Sequence, residues 1–323
     1  MNGITGIGSN VAIQTPQTSQ VNTEPSVGHV EGRELTQVKP DKGLLDRLGN
    51  AISRRLPDHS MLDHHLTSDG KVNQESRRTF SMLKDKVVHF VTSLMIKGVR
   101  SSVEKHGGEI GFKFAQTKGT FLDQIMKHKD SSAGVCESIS AHWMASHAKN
   151  ESIFDKLYVA GEKGQFQIDT LVSIKQLQID GIQEHADQNQ TTQSWLGNNG
   201  LVPQMRTETR GSLSLDHPVR LEGTTGSSGA TKLVAAILDT AGETSIYKKI
   251  GISGAMAGHA VAAFVDNDEG VTFFDPNFGE FSFPDKASFS NWFTQDFWTG
   301  SLYSIEKGLG QEFEISNYKA KKA

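Results

Sequence analysis

The hydrophobic pattern changes its period along the chain. Phe80, Leu83, Val87, Phe90, Val91 and Leu94 recur at i, i+3 and i+4, which predicts a helix from about Asn73 towards Gly107-Gly108. Glu109 to Phe114 alternates through Ile110, Phe112 and Phe114 and reads as a strand. Lys118 to Lys129 fits a short helix with Phe121, Leu122, Ile125 and Met126 inward. Cys136 opens another, with Ile139 and Trp143 one and two turns on, and further helices fit Ile153 to Val159, Ile168 to Ile179 and Thr231 to Asp239. The last part switches to period two: Tyr247 to Ile252, His259 to Asp266, Val271 to Asp275, Glu280 to Phe283 and Leu302 to Ile305 read as strands. Asp266-Asn267-Asp268-Glu269-Gly270 has hairpin-turn chemistry, and Phe289 to Trp298 forms an aromatic-rich helix or loop beside the sheet. Helices first and an antiparallel sheet second is the α+β layout.

Two regions stand apart. No Phe, Tyr or Trp precedes Phe80, and residues 1 to about 40 are rich in Ser, Thr, Gln, Asn and Gly. Such a segment cannot bury enough surface to offset its chain entropy and is expected to be disordered. Within residues 43–55, Leu44, Leu45, Leu48, Ala51 and Ile52 share one helical face, which suits either a helix packed on the domain or a docking strip for a chaperone or membrane surface. The expected division is a largely disordered 1–60 and a folded 61–323. The Gly/Ser/Thr-rich stretch from Gly200 to Gly229 alternates weakly around Leu213 and Leu215 and fixes no element, and Lys319 to Lys322 reads as a frayed tail.

Composition narrows the function classes. The 323 residues are 36% hydrophobic and 22% charged, a globular balance, and no run approaches the ~18 apolar residues of a membrane span. Residues 1–20 lack the basic start and apolar stretch of a Sec-type signal. The net charge of −4 argues against nucleic acid as partner. One cysteine forms no internal disulfide and excludes a multi-Cys zinc site.

That cysteine carries the candidate chemistry. Cys136 follows Gly134-Val135 at the start of a predicted helix, where unpaired N–H groups and the positive dipole end stabilise a thiolate. His259 and Asp275 lie 16 positions apart near the outer ends of the predicted hairpin. Pairing centred on Asn267 sets 259 opposite 275, on one face of the sheet. The carboxylate would then hold Nδ1–H and leave Nε2 for the thiol, the logic of a base and its orienter. For an oxyanion, the backbone N–H of Cys136 is the natural donor, with Ser131 or Asp130 near a second.

Other signals point to ordinary roles. Gly223 to Lys232 has a phosphate-loop flavour without the required Lys-Ser/Thr ending and reads as a flexible turn. His64-His65 and the pair His142 and His147 show no zinc-protease spacing and suit solvent or core roles. Asp180, Glu184 and Asp187 suit a solvated face, with docking of a basic tail as the minority reading. No metal or other cofactor is called for.

The chain resembles the YopT family of type III-secreted cysteine proteases. The matching stretches are Ser60 to Asp63, Leu66 to Lys71, Phe112 to Gly119, Gly134-Val135-Cys136-Glu137, Ala141-His142-Trp143, Phe166 to Leu171, Ser173 to Gly181 and Gly270 to Phe281. The resemblance implies a papain-like α+β core whose catalytic Cys, His and Asp fall on Cys136, His259 and Asp275. It also implies cleavage of prenylated Rho-family GTPases (Rho, Rac and Cdc42 type) just before the lipidated cysteine, at the host plasma membrane, with disruption of actin. The N-terminal segment would carry the secretion signal and a chaperone-binding strip. The wider family processes other proteins too, so the triad fixes the chemistry better than the substrate. A Cys-His-Asp site also suits a deamidase, a transglutaminase or an acyltransferase, and a secreted binding module without catalysis is the third reading.

Overall fold

One antiparallel sheet of eight strands carries the fold in this computed structural model. The structure describes residues 91–126, 135–160, 164–183, 187–210, 213–224, 229–254, 258–268, 270–304 and 312–321. The expectations for residues 1–60, the division at residue 60, His64-His65 and the start of the first helix lie outside them. In spatial order the strands are β1 (Glu109–Phe112), β9 (Gly279–Phe283), β8 (Gly270–Asp275), β7 (Gly258–Asp266), β6 (Ser245–Ser253), β10 (Glu312–Ala320) and β2 (Leu201–Pro203). β5 (Arg220–Thr224) also pairs with β10, and β3 (Met205–Arg210) with β4 (Leu213–Pro218) makes a separate two-stranded sheet.

The two-residue period sorts the side chains onto two faces. Val261, Ala263, Val265, Val271, Phe273, Phe281 and Phe283 enter one core, beneath the helical stretch 91–103, the Ala230–Leu238 helix and the aromatic run Lys286–Gly300. There Phe273 sits 5.3–6.0 Å from the rings of Phe289, Trp292, Phe293 and Phe297, mostly edge-on. Burying each such ring is worth ~1.5–3 kcal/mol, with a further ~0.5–1.5 kcal/mol for the aromatic geometry. Tyr247, Ala262, Phe274 and Tyr318 enter the other core, beneath the helices Cys136–His147, Ile153–Leu157, Ile168–Ile182 and Gln188–Asn198. Among the described residues no helix is long and apolar enough to cross a membrane.

Several expectations are corrected. Lys319 is part of β10, paired with Val202, and β10 lies inside the sheet rather than in a tail. Its polar positions hid it: Asn317 is buried because it accepts from Lys248 Nζ at 2.8 Å and donates to Gln204 at 2.9 Å. Leu302 has φ of 62° in a turn, so Leu302 to Ser304 is not a strand, and Ile305 is outside the described residues. The stretch after Gly200, which the sequence left unassigned, forms four strands, and the segment read as a flexible turn begins inside the last of them, where Gly223 pairs with Phe313. Gln188–Asn198, unpredicted, is a helix capped by Asp187, whose carboxylate accepts from the N–H groups of Asn189 and Gln190. Leu94 is half exposed, because the 91–103 helix buries Ile96, Val99 and Val103 instead.

The β7–β8 register also differs. Asp266 pairs with Gly270 and Ala262 with Phe274, so the hairpin is centred on Asp268, not Asn267. The later centre is set by the Asp266 carboxylate, which accepts from Asp268 N–H at 2.7 Å, and by Gly270, which enters β8 at φ of 91°. A Cβ on Gly270 would stand 2.1 Å from Phe283 O, so only glycine fits there. The shift is two residues, an even number, so His259 and Asp275 keep one face as diagonal neighbours.

Candidate active site

Two elements approach from opposite sides of the sheet and meet where β7 begins. His259 belongs to the row of Val261 and Ala263, on the aromatic face, whereas the Cys136–His147 helix packs on the other. Ser140 Oγ donates to Ala260 O at 3.2 Å, fixing the helix against the strand one residue past the imidazole. The helix is almost wholly buried, so its first turn is aimed by packing. Val135 precedes it and supplies no side-chain cap, which leaves the first-turn N–H groups suited to an incoming oxygen.

The sulfur and the ring are in contact. The Cys136 thiol hydrogen-bonds His259 and accepts from the N–H of Ala260. Burial pushes its pKa up, but the hydrogen bond and positive charge of His259, with the Ala260 N–H, outweigh that and bring it below the ordinary thiol value. Glu137 opposes this, and its carboxylate is neutralised in turn by Lys249 Nζ at 2.8 Å, a buried ammonium that also donates to Asn189 at 2.7 Å. His259 is pushed up to about 10: burial alone would lower it, but the Asp275 charge and hydrogen bond, then the thiol, dominate. Both shifts favour a thiolate–imidazolium pair over the neutral thiol and imidazole.

Asp275 holds the ring from the far side. Its Oδ1 accepts from His259 Nε2 at 2.9 Å, and the two side chains are only 0% and 4% exposed. This corrects the expected ring orientation: the carboxylate takes Nε2 and leaves Nδ1 for sulfur. The reason is local. The sulfur sits against the backbone beside His259, where Ala260 N–H reaches it, and Nδ1 is the ring nitrogen nearest that backbone.

Three further residues, not anticipated, fix the carboxylate and its loop. Asp275 Oδ1 also accepts from Asn277 N–H at 2.7 Å, and Oδ2 accepts from Tyr303 Oη at 3.0 Å. The Tyr303 hydroxyl in turn accepts from Asn277 Nδ2 at 3.0 Å, and burial together with the Asp275 charge keeps it protonated. Gln116 donates through Nε2 to Asn277 Oδ1 at 3.0 Å and through its backbone to Pro276 O at 2.7 Å. Asp-Pro-Asn is a turn signal in the sequence, so Asn277 had a local cue; Tyr303 and Gln116 join through long-range packing and had none. Tyr303→Phe leaves buried Oδ2 short of a donor and is expected to cost ~1–3 kcal/mol of stability, read as a lower denaturant midpoint.

Ser131 and Asp130 lie outside the described residues. His142 is a core histidine, bonded to Ser138 O and Ser173 Oγ and lowered to about 4 by burial, and His147 hydrogen-bonds Tyr247 Oη. Asp180 accepts from Gln176 at an exposed position, while Asp187 is the helix cap already described. Among the described residues no group of three or more His, Cys, Asp or Glu side chains is placed to hold a metal ion.

The chain as a whole is similar to known proteins. The family model described as Yersinia/Haemophilus virulence surface antigen, a peptidase family, matches residues 100–321. The cysteine protease yopT1 of Yersinia enterocolitica is 52% identical over 275 residues, 85% of this chain and 84% of that protein. The cysteine protease YopT of Yersinia pseudotuberculosis is 51% identical over 278 residues, 86% and 85% of the two chains. The crystal structure of the YopT domain of Pasteurella multocida PfhB2-toxin is similar with 35% identity and a TM-score of 0.29, over 64% of this chain and 94% of that one. With a family model matched over residues 100–321 and relatives about half identical over most of both chains, the chain belongs to the YopT family of cysteine proteases.

Proposed function

We propose that the chain is an endopeptidase using Cys136, His259 and Asp275 as nucleophile, base and orienter. The observation that carries this is the continuous contact from the Cys136 sulfur through the His259 ring to the Asp275 carboxylate. The thiolate attacks the scissile carbonyl carbon, and the carbonyl π electrons move onto oxygen, beside the Cys136 backbone N–H. The tetrahedral adduct collapses, the C–N bond breaks, and the imidazolium gives its Nδ1 proton to the leaving amine. Neutral His259 then removes a proton from water, which attacks the thioester; as the second adduct collapses the sulfur leaves as thiolate. Asp275 keeps the Nε2 proton in place throughout, so Nδ1 is the working nitrogen.

The substrate reading follows the family: a prenylated Rho-family GTPase, cut just before its lipidated cysteine and so released from the host plasma membrane. Delivery by a type III system, with the N-terminal segment serving secretion and a chaperone, completes that proposal. Intact-mass analysis of prenylated Rho after incubation with the protein tests it. Loss of a lipidated C-terminal fragment supports it. A mass shift without chain cleavage would replace hydrolysis of the backbone by deamidation or acyl transfer, and an unchanged mass would remove this GTPase as substrate.

A further inference from the structure

A cavity of about 790 Å³ opens between the 91–103 helix and the segment 110–121, and its charge is opposite in sign to that of the chain. Lys97, Arg100, Lys113 and Lys118 line it, against Glu104 as the only lining carboxylate among the described residues. Lys97 and Lys113 have no ion-pair or hydrogen-bond partner among the described residues. Lys118 is held below its usual pKa by burial and by the Arg100 charge beside it. Four cations against one carboxylate give the described wall a net positive field, which suits an anion.

Arg100 gives that field a fixed geometry. Its Nε donates to Phe278 O at 2.8 Å and Nη2 to Phe114 O at 2.6 Å, so the guanidinium is locked and its remaining N–H groups are pre-aimed. Phe278 lies in the turn that follows Asp275, so the same side chain ties the cavity wall to the catalytic loop. A single carboxylate ligand would satisfy one of these cations. A phosphate carries up to two charges on three oxygens and can be shared among several. We propose that this cavity is a binding site for a phosphate-bearing anion, next to the site of cleavage but chemically separate from it.

Inorganic pyrophosphate and lipid vesicles are the probes. Calorimetric titration of the full chain with pyrophosphate is expected to saturate, and Lys97→Ala/Lys113→Ala to weaken binding about 10-fold or more. Both lysines are exposed and unpaired, so the variant keeps the fold, which an unchanged melting temperature verifies. Lys156→Ala, outside the cavity, is expected to bind as the wild type does. Co-sedimentation then distinguishes the source. Capture by phosphatidylserine but not phosphatidylcholine vesicles, lost in the double variant and competed by pyrophosphate, assigns a lipid headgroup. Pyrophosphate binding without vesicle capture assigns a soluble phosphate. Absence of saturable pyrophosphate binding, equal binding by the double variant, or binding of a polyglutamate peptide that pyrophosphate does not displace would overturn the proposal.

Discussion

Cys136→Ala is expected to lower cleavage by about a millionfold, to the level of the uncatalysed reaction plus binding. Loss of the nucleophile from a cooperating triad removes nearly all of its contribution at once, because base and orienter then have nothing to activate. The fold should survive. The helix that carries Cys136 is held by Ser138 Oγ on Ile174 O, by Ser140 Oγ on Ala260 O and by the burial of Ile139, Trp143 and Met144, none of which needs the sulfur. Circular dichroism should therefore match the wild type while product formation disappears. A variant that still cleaves at a tenth of the wild-type rate would show that another group performs the attack.

Asp275→Asn is expected to lower the rate about ten-thousandfold while leaving the backbone in place. An amide can still accept from Asn277 N–H and so preserve the turn. What it loses is the charge. That charge, with its hydrogen bond, is what raises His259 to about 10 against the burial that would lower it. The amide oxygen, held at the Oδ1 position by Asn277 N–H, still faces Nε2 and the ring keeps its orientation; what disappears is the charge that offsets the burial of the imidazolium, and with it the positive partner that favours the thiolate. The sign of the stability effect follows. A raised folded pKa contributes stability that is full below the ordinary value of ~6.5 and is lost as pH rises towards about 10. Denaturant midpoints for the wild type should fall over that interval relative to those of the Asn variant. Equal pH dependence in the two proteins would separate His259 from Asp275 energetically.

The parts of the site written in local sequence were the easiest to read. Cys136 at a helix start needs only the Gly-Val-Cys step and the apolar spacing that follows. His259 and Asp275 needed only the parity of their separation, and a hairpin shifted by two residues preserves parity; the shared face therefore stood although the register did not. The ring orientation was not legible, because it depends on which side of the imidazole the sulfur occupies, a matter of how a helix on one face reaches a strand residue on the other. Tyr303 was hidden for a similar reason. It arrives in the site from a turn, with Leu302 at positive φ, in a segment whose apolar residues mimic a strand. β10 was concealed by Asn317 and Lys319, polar residues whose partners Lys248, Gln204 and Glu243 are distant in sequence. Period counts only apolar burial, and this strand buries polar groups in satisfied pairs.

The proposed mechanism requires Cys136 to be a thiolate paired with an imidazolium, and with a single cysteine in the chain its reactivity can be followed without ambiguity. The rate of alkylation by iodoacetamide, read by mass across pH, tests it most directly. Rapid single addition is expected well below pH ~8, where an ordinary thiol is protonated, with the whole profile shifted to higher pH in His259→Gln. A wild-type profile that rises only near the ordinary thiol pKa of ~8.5, unchanged by the His259 substitution, would contradict it.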